Sequence, residues 1–457
     1  MRLIQISICC LLSLAPLFAK AQRLNDKHVV SNITEHVLIN GKAYQDLHYL
    51  CKKIGHRLSG SEQEQLTVAW LQSVLMEAGA DTVWLQAVKV PKWVRGAESF
   101  SVSNGSRHID IPMLSLGNSE GTGGKKLSGN IVLFESIEDL KNVDTATLKG
   151  KIAFLNVPFP EHFPCTFDGY SEVGSNRFSG PAIAAEKGAS AFVIRSLSTG
   201  AGSYDLPHTG VTSYGNAKRK IPAIAISNKA ADSLSAWIKS GKTLTGTLRS
   251  HCGMQDSVLS YNVIGEIKGQ SNKIITVGAH HDSWDVGEGA HDDGAGCVQS
   301  IEVLRTFKQL GMRPRNTIRV VLFANEENGV AGGKVYADFA LEHGEQHLFA
   351  LESDAGGFSP RGFSMSMDEQ LKELVRSWSD ILFDLGVYDF SKPGGGVDIN
   401  PLHKKLQTPV AGLLPDTQRY FDIHHCAQDT YETVNRRELL MGAAAMTALV
   451  YLVDKYF

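Results

Sequence analysis

Histidine, aspartate and glutamate crowd into four short stretches of this 457-residue chain. Residues 278–296 read GAHHDSWDVGEGAHDDGAG, residues 323–329 read FANEENG, Ser353-Asp354-Ala355-Gly356-Gly357 forms a third cluster, and residues 423–430 read IHHCAQDT. A hydrolytic metal site needs imidazole and carboxylate ligands, an open position for water, and a separate base to take that water's proton. His280, Asp292, Glu327, Asp354 and His425 supply two imidazoles and three carboxylates, enough for two zinc ions if one carboxylate bridges them. Charge points the same way: two Zn²⁺ against three carboxylates and a hydroxide come near neutrality, whereas one ion leaves an excess of buried negative charge. Each stretch taken alone has an ordinary explanation. His280 and Asp282 could share a local hydrogen bond, Glu326-Glu327 could be a solvated turn, Asp292-Asp293 could cap a helix, Asp354 could serve a turn, and His424-His425 could lie at the surface. What sets them apart is position, because each cluster follows an apolar run.

Those runs, at 273–279, 317–324, 347–353 and 409–414, are of buried-strand type. Between the first two lies a helical pattern with Val298, Ile301, Leu304 and Phe307 on one face, ended by Gly311 with Pro314 beyond. The alternation predicts an α/β fold with a mixed, mostly parallel sheet flanked by helices. In such sheets ligands bind beyond the carboxyl ends of the strands, so clusters distant in sequence can meet there. Upstream, Ser61 to Glu64 is a capping box opening a helix with Leu66, Ala69, Trp70, Val74 and Ala78 at helical spacing, Gly79 ends it, and a strand follows over 82–90. From 96 to 254 the texture changes to short β runs at 130–134, 151–155, 191–194 and 221–226, with helices near 181–187 and over 228–239. This is read as an inserted, mainly β domain, 96–254, within a catalytic domain formed by 22–95 and 255–457.

Composition narrows the function classes. With 45 Lys+Arg against 48 Asp+Glu, the formal charge of -3 provides no electrostatic footprint for nucleic acid. Residues 1–21 read as a signal peptide: Arg2, an apolar run over 3–18, and Ala19-Lys20-Ala21 as a cleavage site, so an exported protein, periplasmic or extracellular, is expected. No later segment is expected to be long and apolar enough to span a membrane. Beyond the leader, Cys51, Cys165, Cys252, Cys297 and Cys426 form no CxxC pair and no disulfide scaffold, and are read mainly as buried thiols. Gly117-Asn118-Ser119-Glu120-Gly121 matches the G-x-S-x-G serine elbow, but the Thr122-Gly123-Gly124 that follows does not open the helix this motif requires. If the substrate has a free carboxylate, Arg361, His403 and Lys404 are the candidate cations.

The stretches GAHHDSWDVGEGAHDDGAG, ANEENG, LESDAGGFSP and HHCAQDT, with HRLSGS at 56–61 and WVRGAES at 93–99, resemble the co-catalytic zinc peptidases of the aminopeptidase and glutamate carboxypeptidase family. GPAIAAEKGASAFVIRS and KIPAIAIS in the insert resemble a protease-associated domain. The resemblance implies two Zn²⁺ per chain, with Asp292 bridging, His280 and Asp354 completing one site, and Glu327 and His425 the other. It makes Glu326 the general base and Asp282 the acceptor of the second ring N–H of His280, and it implies a cis peptide between Asp292 and Asp293. His425 rather than His424 is the ligand because the family spacing places it four residues before Asp429. The implied protein is a secreted exopeptidase acting on small peptides or dipeptides with free ends, and a homodimer. Alternatives are an aminopeptidase of the same family, a glutaminyl cyclase, or an inactive receptor-like ectodomain, which should lack ligands. Three positions depart from the commonest pattern: His281, His291 and Asn325.

Overall fold

A computed structural model describes residues 22–105, 107–199 and 205–457; the expected leader lies outside the described residues. The main sheet has seven strands: β1 (Thr82–Val94), β2 (Gly253–Ile267), β3 (Ser271–His280), β4 (Asn316–Phe323), β5 (His347–Glu352), β6 (Pro360–Ser366) and β7 (Val410–Pro415), in the spatial order β1-β2-β4-β3-β5-β7-β6. Its four central strands, β4, β3, β5 and β7, run parallel. The flanking strands β2 and β6 join them antiparallel, and β1 pairs antiparallel with β2, so the sheet is mixed with a parallel centre. Every residue of β4 is buried, as expected of a strand covered on both faces.

Helices cover both faces. On one side α1 (Glu62–Glu77), α3 (Ala295–Gln309) and α5 (Arg436–Tyr456) pack with the N-terminal helix, 22–40, over Val263, Ile275, Val277, Val320 and Leu351. On the other, α4 (Ala331–Glu342) packs Tyr336, Ala337 and Ala340 against Ile264, Val321, Phe323 and Ala350. Alternate residues of one strand thus enter different cores, which is the period-two geometry of a β-strand. In α1, Glu64 N–H donates to Ser61 Oγ and the Glu64 carboxylate accepts from Gly60 N–H, so the cap forms. Its buried face is Val68, Leu71, Val74 and Leu75, while Leu66 is 53% exposed. The apolar stripe expected through Leu66 is therefore shifted around the helix. Helix α5 corrects a second expectation, being long and apolar enough to cross a membrane. Most of it is buried against α3 and the sheet, which accounts for its composition.

Strands between Glu98 and Ser250 form a separate eight-stranded sheet. Four of them, Leu127–Phe134, Ile152–Leu155, Ala191–Arg195 and Ala223–Ile226, are parallel neighbours. This region is less purely β than expected, because α2 (Thr166–Glu186) runs for 21 residues where only its last turns were anticipated. Gly169, Gly174, Gly180 and Pro181 mask it in the sequence. Gly180 has a packing reason, since a Cβ there would lie 2.5 Å from the Phe192 ring. The region shares a core with the main domain, where Phe159, Phe167 and Tyr170 pack on Tyr420 and Phe421. The five cysteines among the described residues are unpaired and four are buried.

Candidate metal centre

Register explains how residues far apart in sequence meet. In the parallel centre, His280 at the end of β3 pairs with Phe323 at the end of β4, and Gly278 pairs with Glu352 at the end of β5. Glu326 and Glu327 leave β4 just past the level of His280, and Asp354 sits two residues beyond Glu352, as His280 sits two beyond Gly278. The loop from His281 to Gly294 returns over this edge and carries Asp292. Fully buried Arg57 holds that loop by donating to the carbonyls of His281 (2.6 Å), Glu288 (2.7 Å) and Gly289 (2.8 Å). Asp429 accepts the N–H groups of His291 (2.7 Å) and Asp292 (3.1 Å) on its two carboxylate oxygens. The peptide between Asp292 and Asp293 is cis.

The side chains converge on Asp292. One of its oxygens is 3.3 Å from His280 Nε2, which is also 3.3 Å from Asp354; the other is 3.1 Å from His425 Nε2, which is 3.2 Å from Glu327. Donor atoms at the corners of a zinc tetrahedron with bonds of about 2.0–2.1 Å stand about 3.3–3.4 Å apart, so His280, Asp292 and Asp354 can share a cation. On the second side the donor atoms of Asp292, His424 and His425 gather, His424 Nε2 standing 3.6 Å from Asp292, with Glu327 beside His425. His280 Nε2 is buried without a hydrogen-bond partner, as suits an imidazole nitrogen directed at a metal. Asp293 does not join the set: it accepts from the N–H groups of His280 and Gly296, which is the capping role.

Electrostatics show how much positive charge the cluster lacks. Burial first, then the neighbouring carboxylates, holds the proton affinities of Glu326 and Glu327 well above the ordinary carboxylate range. Burial favours neutral His280, but Asp354, Asp282 and Asp292 outweigh it and raise its proton affinity well above normal. Burial lowers His425, leaving the neutral ring a ligand requires. Two imidazole nitrogens with three carboxylates suit zinc rather than calcium or magnesium.

Asp282 differs from its expected contact. The ring Nδ1 of His280 donates to the main-chain carbonyl of Asp282 at 3.0 Å, while the carboxylate is 3.7 Å away. That carboxylate instead accepts from Ser59 Oγ (2.9 Å) and from the N–H of Glu326 (3.0 Å). The two-residue spacing of H-x-D brings the carbonyl over the ring and frees the side chain to hold Glu326.

The centre lines a cavity of about 550 Å³ containing Asp292, Glu326, Glu327, Asp354, His424 and His425 on one side and Asn118, Tyr170 and Arg177 from the inserted segment on the other. Among the described residues Arg177 is the one Lys or Arg lining it; its guanidinium lies over Tyr170 and donates to that hydroxyl at 2.7 Å. Sequence reasoning missed Arg177, Asn118 and Asp429. Only Asp429 left a signal, at four residues from His425. The expected carboxylate-binding cations lie elsewhere: Arg361 is paired with Asp416 at 3.0 Å in an adjoining chamber of about 810 Å³, His403 is bonded to the Thr408 carbonyl beside a separate surface hollow, and Lys404 stands exposed on the helix Asn400–Leu406. Basic residues near a site in sequence carry no information about which way their elements face.

The remaining motifs are structural. His281 bonds the Tyr261 carbonyl, His291 accepts from Gly357 N–H and stacks on Phe358, and Asn325 donates to Ser59 and Asn328. Ser119 is buried with its hydroxyl against Cys252 sulfur, not beside a base.

Similarity to known proteins follows the same outline. The family described as peptidase family M28 matches residues 262–450. Carboxypeptidase Q of Xenopus laevis is 33% identical, over 93% of this chain and 89% of that protein. The crystal structure of a peptidase M28 precursor from Shewanella amazonensis SB2B is 33% identical, covers 94% of this chain and 97% of its own, and superposes with a TM-score of 0.88. A zinc aminopeptidase from Bacillus subtilis shares the fold, with a TM-score of 0.64 at 21% identity, 90% coverage of this chain and 94% of that one.

Proposed function

Since the chain belongs to peptidase family M28 and is a metallopeptidase, we propose that it is an exported, two-zinc exopeptidase that hydrolyses small peptides or dipeptides with a free carboxyl terminus. The observation that carries this reading is Asp292, whose two oxygens face two separate imidazole and carboxylate groups. His280, Asp292 and Asp354 would hold one zinc, and Asp292, Glu327 and His425 the other. When bound, the ions supply Lewis acidity for the scissile carbonyl and acidify the attacking water.

The protein's own groups do the rest. Glu326 is free of the ligand set and its proton affinity is raised by burial, so it takes the water's proton and passes it to the leaving amine. Asp282 fixes the backbone that carries Glu326. His424, kept neutral by burial and stacked 3.5 Å from His425, lines the cavity with its Nε2 3.6 Å from Asp292, where it can donate to the negative charge that develops on the carbonyl oxygen. Arg177 supplies the cation for a terminal carboxylate, which favours a carboxypeptidase or dipeptidase over an aminopeptidase. A cavity of about 550 Å³ suits short substrates.

The reading extends to the chain's organisation: residues 22–95 and 255–457 as the catalytic domain, 96–254 as a protease-associated domain covering the site, and a homodimer in solution. The test is zinc content by mass spectrometry, with hydrolysis of unblocked, N-acetylated and C-amidated dipeptides with and without chelator. Two zincs per chain, loss of activity on chelation, and a larger penalty for amidation than for acetylation are expected. A metal-free or chelator-indifferent enzyme refutes the proposal.

A further inference from the structure

The two groups of ligands are supported differently. His280 is held within the main domain: it pairs along β3 and β4, and its Nδ1 donates to the Asp282 carbonyl. His425 stands in a loop with φ of +60°, a conformation non-glycine residues rarely adopt. Its supports come from the inserted segment. The N–H of Thr209 donates to the His425 carbonyl at 2.9 Å, and the Thr209 carbonyl lies 3.3 Å from His425 Nδ1, opposite the nitrogen that faces Asp292 and Glu327. The neighbouring His208 donates from Nδ1 to the His424 carbonyl at 2.6 Å. Thr209 is itself anchored, its hydroxyl donating to the Ser115 carbonyl at 2.8 Å.

We infer that His208 and Thr209 of the inserted segment are positioning residues for His425, so that this segment sets the zinc affinity of the His425–Glu327 site and leaves the His280–Asp354 site unaffected. The inference rests on the two-zinc reading above. An imidazole ligand takes its orientation from the group on its other nitrogen, and losing such outer partners costs about 10–100-fold in metal affinity. The two sites therefore load unequally when the inserted segment is perturbed.

The experiment measures zinc affinity by competition with a chelator in the full-length protein, with either site isolated. Asp354→Ala leaves the His425 side and Glu327→Ala leaves the His280 side. Adding His208→Ala is expected to weaken zinc binding about 10–100-fold in the Asp354→Ala background and less than threefold in the Glu327→Ala background. His208→Asn, whose amide N–H replaces the Nδ1–H, is expected to restore it. Thr209→Val, which removes the tie to Ser115 and keeps the side-chain volume, is expected to act in the same direction and keeps the test open if His208→Ala does not fold. Equal weakening of both sites, no weakening of either, or failure of His208→Asn to restore binding overturns the inference. A wild-type chain that binds no zinc refutes instead the reading beneath it.

Discussion

Replacing Glu326 by Gln separates catalysis from metal binding and from stability, because the three respond in different directions. The side chain keeps its shape and no ligand is removed, so zinc content should stay at the wild-type value. Loss of the proton acceptor should lower kcat about 10²–10⁴-fold, which is about 3–5 kcal/mol on the barrier. In the metal-free protein the sign reverses. Burial, and then Asp354, Asp282 and Asp292, raise the proton affinity of Glu326 well above that of a free carboxyl. A carboxyl shifted upward by folding costs stability above its unfolded value near pH 4.3, and each pH unit of that shift is about 1.4 kcal/mol. The neutral amide removes this cost at pH 7. The chelated variant should therefore melt above the chelated wild type. The gain should disappear below pH 4, where both states hold the proton. Steady-state hydrolysis of an unblocked dipeptide at saturating zinc, zinc analysis, and calorimetry of the chelated proteins test each part. A rate within tenfold of wild type refutes Glu326 as the base. Zinc lost from the variant makes it a ligand, and an unchanged or lower melting temperature refutes the charge argument.

Other expectations follow from the surrounding contacts. Asp429→Asn retains one acceptor and turns an NH2 toward a backbone N–H of the Asp292 loop; zinc affinity should fall about 10–100-fold, measured by chelator competition. Arg177→Met should lower kcat/KM for both substrates, since Arg177 stands 3.4 Å from His425 Nδ1, but at least tenfold more for a peptide with a free carboxyl terminus than for its amide; equal losses on both substrates count against a carboxylate-binding role. Far from the centre, burial works against the Glu345 carboxylate, but His347 and Arg319 outweigh it and hold Glu345 at about 2. A depressed carboxyl adds stability above its unfolded value near 4.3 and loses it as the pH falls toward 2. The contribution is on the order of 1–2 kcal/mol after screening. Glu345→Gln should accordingly lower the melting temperature at pH 7 and have no effect at pH 2, as thermal scans at the two values would reveal.

Several expectations met different outcomes for traceable reasons. The strands at 273–279 and 317–324 were legible because strands buried on both faces must be apolar throughout, and they appear as Ser271–His280 and Asn316–Phe323. The α1 stripe was misplaced because Leu66 and Val68 are both apolar, and only packing decides which of them is covered. Helix α2 was hidden by glycines that serve its close approach to Phe192. The Asp282 side chain was assigned to His280, yet the backbone geometry of H-x-D lets its carbonyl do that work.

The residue types and their local spacing determined which atoms were available for chemistry: two imidazoles, three carboxylates and one uncommitted acid, each just past an apolar strand. That much is written in sequence because ligand chemistry and strand burial are local requirements. The tertiary structure alone decided that Asp292 turns one oxygen to each imidazole, that Asp282 serves Glu326, and that Arg177, Thr209 and Asn118 reach the centre from about 70 or more residues before it. Those relations depend on how two separately built sheets pack together, and interactions between surfaces distant along the chain leave no periodic or spaced trace in it.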